Sequence, residues 1–274
     1  MIDLPRRSLR LPSAPAGWSL GALNITLGGS LITLFRDLDG RGHICAHQKS
    51  TWDVLTVIDP CPDFPLLDQG LDGTVLVASA RQEPGCPNGM VIRPDKSTAQ
   101  IYCGDAIEHL QLDAEGMAWI GYFDEGVFGD NELSQRGLVR LGLDGSLRSS
   151  PREVIDDCYA LNVSEDRVLA SWYSSFPVIE YTLDMAEQRR LSRAPHPVKR
   201  AAFSDEWLLF QEAYKDAQFH LGQWASSGWK HESSLTADEL FGRALGRDDW
   251  LFARGSCFHL VSEGLWASVD IAKI

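Results

Sequence analysis

The amino-acid sequence predicts an all-β chain folded as a single six-bladed β-propeller of four-stranded antiparallel blades, on three observations. Apolar and polar residues alternate from about Trp18 to the C-terminus, with Gly, Asp and Asn marking the breaks. No long segment keeps its apolar residues at helical spacing. Six segments also repeat one pattern, a small or acidic turn followed by an apolar strand: GGSLITL, LDGTVLVA, AEGMAWIG, SEDRVLAS, SDEWLLF and RDDWLFA. Taking Ile32, Leu76, Trp119, Leu169, Leu208 and Leu251 as equivalent, the spacings are 44, 43, 50, 39 and 43 residues. A four-stranded sheet buries both faces only when neighbours stack on it, so this period reads as a propeller. A two-sheet sandwich would explain the alternation and leave the period unexplained.

Each unit then divides into strands a to d, counted outward. In the third, Ile107 to Asp113 forms strand a, Met117 to Tyr122 strand b, Gly137 to Leu143 strand c, and Leu147 to Val154 a poorer strand d. The sixth unit ends in GLWASVDI, so its outer strand is expected to close the chain unaided. Residues 1–15 are left as an arm, which could instead pair with a blade edge. With 274 residues, 44% of them hydrophobic, the chain can bury a full core.

Charge limits the partners. The formal net charge is −13, so a nucleic acid or an anionic membrane is repelled and a cation or basic protein is attracted. The segment MIDLPRRSLRLPSAPAGW lacks a continuous apolar run after its arginines, so a cytoplasmic protein is expected. Six dispersed cysteines without a C-x-x-C pair fit reduced thiols. Oligomeric state is not legible.

The core LQLDAEGMAWIGYFDEGVFG resembles the repeat of streptogramin-lyase-type and two-component-regulator-type propellers, in which an acidic-glycine turn precedes a Trp-containing strand. With IDDCYALNV and SSFPVIEY it also resembles a group of uncharacterised bacterial propeller-like proteins. The resemblance implies the fold and transfers no activity. The lyase chemistry needs a catalytic histidine, and none stands at a motif-matched position.

In an up-and-down blade, the loop leading into strand a and the b-to-c loop emerge at the same end. The loops leading in carry Asp63, Asp105, Asp156 with Asp157, His196 with Lys199 and Arg200, and Asp238 with Glu239. The b-to-c loops carry Phe123, Asp124, Glu125, Phe128, Asp130 and Glu132 in the third unit, Tyr173 to Pro177 (including Phe176) in the fourth, and Tyr214, Lys215 and Asp216 in the fifth. The segment YFDEGVFGDNELSQRG is the oversized loop behind the 50-residue spacing. Aromatic anchors among carboxylates suit a basic protein surface. Alternatively, Phe123 and Phe128 tuck under their own loop. The expected binding residues are thus Asp105, Phe123, Asp124, Glu125, Phe128, Asp130, Glu132, Asp156, Asp157, Tyr173 and Phe176.

No cofactor is required by any motif, but Ca²⁺ or Mg²⁺ could be held by oxygens converging from separate blades, with Asp105, Asp157 and Asn162 as the candidate set. His43, Cys45 and His47 share a strand face about 7 Å apart in succession, which suits a structural cluster better than one ion. There is no G-x-S-x-G, H-E-x-x-H, G-K-[ST] phosphate loop or G-x-G-x-x-G. His109 is a conceivable general base, yet alternation sets it on the face opposite Glu108. Cys158 reads as a buried thiol. Trp119, Trp207 and Trp250 fall in the repeated strand b and are expected in the core, with Trp224, Trp229 and Trp266 partly exposed.

These readings converge on a non-catalytic propeller that binds a basic protein, for instance an immunity or inhibitor protein for a basic toxin domain. The alternative is a divalent-metal-dependent hydrolase or lyase.

Overall fold

Asp113 illustrates why the chain breaks into short hairpins. Its Oδ1 accepts from the backbone N–H groups of Glu115 and Met117, both at 2.9 Å. Gly116 then turns the chain at φ +74°, a left-handed conformation that only glycine adopts freely. Asp37 does the same for Asp39 and Arg41 ahead of the next strand.

The computed structural model describes residues 4–48, 50–215 and 217–274; Asp216 and the first three residues of the arm lie outside the described residues. After β1 (Arg6–Arg10), six blades follow, the last of which β1 completes. The first is β2 (Ser19–Ile25), β3 (Leu31–Arg36), β4 (Gly42–Gln48) and β5 (Thr51–Ile58). The second is β6 (Pro65–Gln69), β7 (Val75–Ser79), β8 (Gly89–Ile92) and β9 (Thr98–Ile101). The third is β10 (Ile107–Leu112), β11 (Ala118–Tyr122), β12 (Leu138–Leu141) and β13 (Leu147–Ser149). The fourth is β14 (Asp157–Val163), β15 (Arg167–Tyr173), β16 (Val178–Thr182) and β17 (Glu187–Leu191). The fifth is β18 (Val198–Phe203), β19 (Trp207–Glu212), β20 (Gln218–Ala225) and β21 (Gly228–Thr236). The sixth is β22 (Trp250–Arg254), β23 (Cys257–Ser262), β24 (Leu265–Asp270) and, as its outer strand, β1. These six four-stranded antiparallel sheets are the blades of a six-bladed β-propeller. Among the described residues two short α-helices interrupt them, α1 (Asp124–Val127) and α2 (Ala237–Phe241), the latter opened by a Thr236–Glu239 capping box.

Internal contacts group Pro12–Cys158 into one compact unit, and Tyr159–Ile274 with the segment ending at Leu11 into another. In the first, Ile32, Leu34 and Ile44 pack on Leu67, Val75 and Val77, while Leu76 and Val91 pack with Leu112, Ile120 and Leu141. In the second, Leu169 and Val178 meet Leu208 and Phe210, and Phe219 meets Phe258 and Leu260. Each such side chain contributes roughly 1.5–3 kcal/mol by leaving water.

Buried polar residues at the penultimate position of strand a tie neighbouring blades. Asn24 Nδ2 donates to the carbonyls of Leu67 (3.0 Å) and Leu110 (3.3 Å), and Asp68 Oδ2 accepts from Leu112 N–H (2.7 Å). In the other unit, Asn162 Nδ2 donates to Ala201 O and Gly255 O, both at 2.8 Å, and its Oδ1 accepts from Gly255 N–H at 2.7 Å.

Two ion-paired hubs hold tryptophans. Asp113 Oδ2, fully buried, accepts from Trp119 Nε1 (2.9 Å) and Arg140 Nε (2.8 Å). Glu180 accepts from Trp224 Nε1 (2.8 Å), Arg189 Nε (2.8 Å) and Arg167 Nη1 (3.2 Å). The acidic-turn-plus-Trp motif is therefore a structural clamp. Trp224, expected to be partly exposed, is buried because Glu180 satisfies its N–H.

The sixth blade departs from the sequence reading. The strand WLFA is strand a and not strand b, since β22 lies beside β18, the first strand of the fifth blade. Helix α2 takes up the chain before it, and the fourth strand comes from the arm, with Arg6 paired to Val269 and Arg10 to Leu265. Trp250 is consequently 42% exposed, while Trp119 is fully buried and Trp207 half-buried.

Among the described residues, no helix is long and apolar enough to cross a membrane.

Candidate functional site

In the unit spanning 12–158, the predicted loop residues gather around an arginine that the sequence reading passed over. Arg81 opens the b-to-c loop of the second blade. Its Nε and Nη2 donate to Asp105 Oδ1 (3.2 Å) and Oδ2 (3.3 Å), and its Nη1 donates to Glu125 Oε2 (2.5 Å). The guanidinium stands 5.9 Å over the Phe123 ring. Gln82 N–H donates to Asp105 Oδ1 at 2.7 Å, so Asp105 is an ion-paired anchor with few lone pairs left for a metal. The loop leading into the third blade and the long b-to-c loop thus meet at one end of that blade, as an up-and-down sheet requires.

The long loop is stiff. Ser134 Oγ donates to Asp105 O and accepts from Asp105 N–H, each at 2.8 Å. Asn131 Oδ1 accepts from Leu133 and Ser134 N–H groups, and its Nδ2 donates to Gln82 Oε1 at 2.6 Å. Val127 anchors α1 in the core of the third blade. Gly126 is required by close approach, because a Cβ there would lie 2.5 Å from Asp105 O. The two readings of the phenylalanines therefore divide between them. Phe123 is half-buried under Arg81, and Phe128 is 74% exposed. Asp124, Glu125, Asp130 and Glu132 are exposed beside it in the sequence, and Asp156 is half-buried.

Asp157 begins β14, and among the described residues no ion pair faces it. Burial first, then the negative charges of Asp124 and Glu108, pushes its carboxyl up to about 6. Glu108 is turned to solvent by a β-bulge between Ile107 and His109, which breaks the alternation assumed for that strand. The same interruption recurs at Gly21 and Lys199. Cys158 is fully buried, and burial raises its thiol strongly, so it offers no nucleophile at neutral pH.

A cavity of about 700 Å³ adjoins Arg81. Phe64, Pro62, Pro84, Pro87 and Met90 line it on the apolar side, with Asn88 and Gln100 among the polar groups. The loop spanning 80–88 lacks the density of acids that drew attention to the third blade.

The expected metal set does not assemble. Asn162 lies five residues beyond Asp157 along β14, roughly 16 Å for an extended strand. Its carboxamide is spent on Ala201 and Gly255. The signal that could have shown this is the recurrence of Asn24, Asp68, Gln111 and Asn162 one residue before the end of strand a.

The unit containing Tyr159–Ile274 holds the remaining candidates. Tyr173 is exposed and stacks 6.2 Å from Tyr159, whose hydroxyl lies 3.3 Å from that of the exposed Tyr214. Phe176 is buried edge-on beneath Tyr159 and Tyr173, so it supports this patch and cannot contact a partner. The cluster around His43 is structural: its Nε2 pairs with Asp37 Oδ2 at 2.8 Å, its ring stacks on Trp18, and Cys45 is fully buried.

No sequence family matches the chain, and no curated protein matches it in sequence. Solved structures do. A chain of the mitotic checkpoint complex superposes with a TM-score of 0.58 at 8% identity, covering 94% of this chain and 76% of that one. Hsv2 of Kluyveromyces lactis gives 0.55 at 9% identity, covering 89% and 70%. Catalytically inactive virginiamycin B lyase from Staphylococcus aureus with quinupristin gives 0.52 at 9% identity, covering 98% and 100%. The likeness is one of fold. It agrees with the resemblance read from the third repeat and carries no activity.

Proposed function

We propose that this chain is a non-catalytic protein-binding propeller that engages a basic partner through the loop end of its third blade. The observation that carries this reading is a stiff loop presenting Phe128, 74% exposed, among the exposed carboxylates of Asp124, Glu125, Asp130 and Glu132. Arg81 neutralises part of that charge, at Asp105 and Glu125. Burial first, and then repulsion by Asp124 and Glu108, pushes the Asp157 carboxyl up to about 6. A cationic side chain would relieve that repulsion while an aromatic anchor supplies the apolar contact.

An immunity or inhibitor protein that covers the active site of a cationic toxin is one form of this reading, and six cysteines outside any disulfide suit a cytoplasmic setting. The partner is a basic protein and not a nucleic acid or membrane, because the chain carries a net charge of −13. The test is affinity capture from the native host at low salt. One basic partner is expected with the unaltered chain, lost with Asp124→Lys combined with Glu125→Lys and weakened about tenfold or more by Phe128→Ala. Unchanged capture by the charge-reversed chain would overturn the reading.

A further inference from the structure

The geometry points to a binding site for a divalent transition-metal ion of the zinc type, formed by His196, Glu212 and His220 at the loop end of the fifth blade. This site lies in the unit containing Tyr159–Ile274 and is independent of the protein-binding surface proposed above.

Three elements deliver these side chains. Glu212 ends β19 and pairs with Val198, while His220 lies near the start of β20 opposite Phe210. The hydrogen bond from Ala213 N–H to Pro197 O, 2.8 Å, ties the loop carrying His196 to the end of that hairpin. His220 Nε2 lies 3.2 Å from Glu212 Oε2, and His196 Nδ1 lies 3.7 Å from the same oxygen. The three candidate ligand atoms all fall within 4.8 Å of one another. Tetrahedral coordination at bonds of roughly 2.0–2.1 Å separates ligand atoms by about 3.4 Å, close to the spacing already in place.

Chemistry selects the ion. Two imidazole nitrogens and one carboxylate suit zinc and its neighbours, whereas Ca²⁺ and Mg²⁺ favour shells made of oxygen. Glu212 and His220 are only 6% and 5% exposed, so two ligands are held before an ion arrives.

The outer contacts fit as well. His220 Nδ1 lies 3.2 Å from Ser234 Oγ, which lies 3.1 Å from His231 Nε2. Before an ion arrives, Nε2–H faces Glu212 Oε2. On capture of the ion the ring proton moves to Nδ1, which donates to Ser234 Oγ, and Nε2 gives its lone pair to the ion, the arrangement that orients metal-bound histidines.

Two adjustments accompany capture. The His196 and His220 rings are stacked at 4.2 Å and 8°, and parallel rings cannot both aim in-plane lone pairs at one ion. The His196 ring, 40% exposed on its loop, therefore turns. Lys215, now 3.2 Å from Glu212 Oε1 and largely exposed, swings into solvent. Three protein ligands leave a fourth position to water.

The test is titration of the full-length, chelator-stripped protein with Zn²⁺ alone, by calorimetry and by thermal shift. One equivalent is expected to bind with micromolar or tighter affinity and to raise the melting temperature. His196→Ala, on an exposed loop and harmless to folding, should weaken binding at least tenfold, and Glu212→Gln at least thirtyfold. Cys86→Ser, which removes the exposed thiol, should leave binding unchanged. Co²⁺ in the same site should give the intense visible bands of four-coordinate cobalt, lost in His196→Ala. No saturable binding by the unaltered chain, or binding that His196→Ala leaves intact, would overturn the proposal.

Discussion

The loop ends of the third and fifth blades occupy the same place in the repeat and have opposite electrostatics. At the third blade, the negative charges of Asp124 and Glu108 act on Asp157, whose carboxyl is pushed up to about 6 by burial and these neighbours. At the fifth, one buried carboxylate, Glu212, is ringed by His220, Lys215 and His196. Its carboxyl is pulled below the ordinary range, as hydrogen bonds from His220 and Lys215 outweigh the cost of burial. The same repeat thus yields one loop end poised to accept positive charge and another that has already gathered nitrogen donors around a single acid. The repeat supplies position, and the identity of a few loop residues supplies the chemistry.

Substitutions can break or sharpen this contrast. Gly126→Val should have the largest effect. The new side chain would collide with Asp105 O and Ala106 Cβ, at a cost of about 3 kcal/mol typical of severe overpacking. Urea unfolding should register the loss, and proteolysis should select the loop spanning 123–137. An unchanged midpoint would mean that the loop does not sit on Asp105.

Glu212→Gln comes next. A carboxyl whose folded value is depressed stabilises the fold above its unfolded value and loses that contribution as pH falls through the folded one. The variant should therefore be less stable by about 2 kcal/mol at pH 7, the scale of a charged hydrogen bond, and the difference should close toward pH 3. Urea midpoints across pH would show it.

Asp157→Asn is the smallest and carries the opposite sign. A carboxyl held above its unfolded value favours the fold when protonated, and it loses that advantage as pH rises from about 4 through about 6. The variant should gain up to about 1 kcal/mol at pH 8, an amount limited by solvent screening, and nothing at pH 4. Equal pH slopes in the two variants would erase the distinction between the two ends. Carbon-13 NMR titration of the Asp157 carboxyl should find it near 6, and addition of a basic partner should lower it, because a nearby cation favours the charged form.

Much of the fold was legible because it rests on local chemistry. The turn at Asp113 to Gly116 and the strands on either side follow from alternation, an Asx turn and one glycine, and the structure places them within a residue or two of expectation. The sixth blade was misread because Arg247-Asp248-Asp249 imitates the turn before strand b, and nothing local says that the last strand comes from Arg6–Arg10. Asn162 was misjudged for a related reason. A polar residue in an inner strand reads alike whether it binds an ion or clamps Gly255, until the same position is seen to recur at Asn24 and Asp68. Arg81 and the trio His196, Glu212 and His220 gave no local signal, since their partners lie 24, 44, 16 or 8 residues away.

The sequence by itself determined the strand period, the hairpin turns and the excess of negative charge, because these are properties of near neighbours or simple sums. Only the tertiary structure decided which side chains share a site. Such meetings depend on register, on bulges such as that between Ile107 and His109, and on the end of a sheet at which a loop emerges. A shift of one residue in any of these would send a side chain to the opposite face.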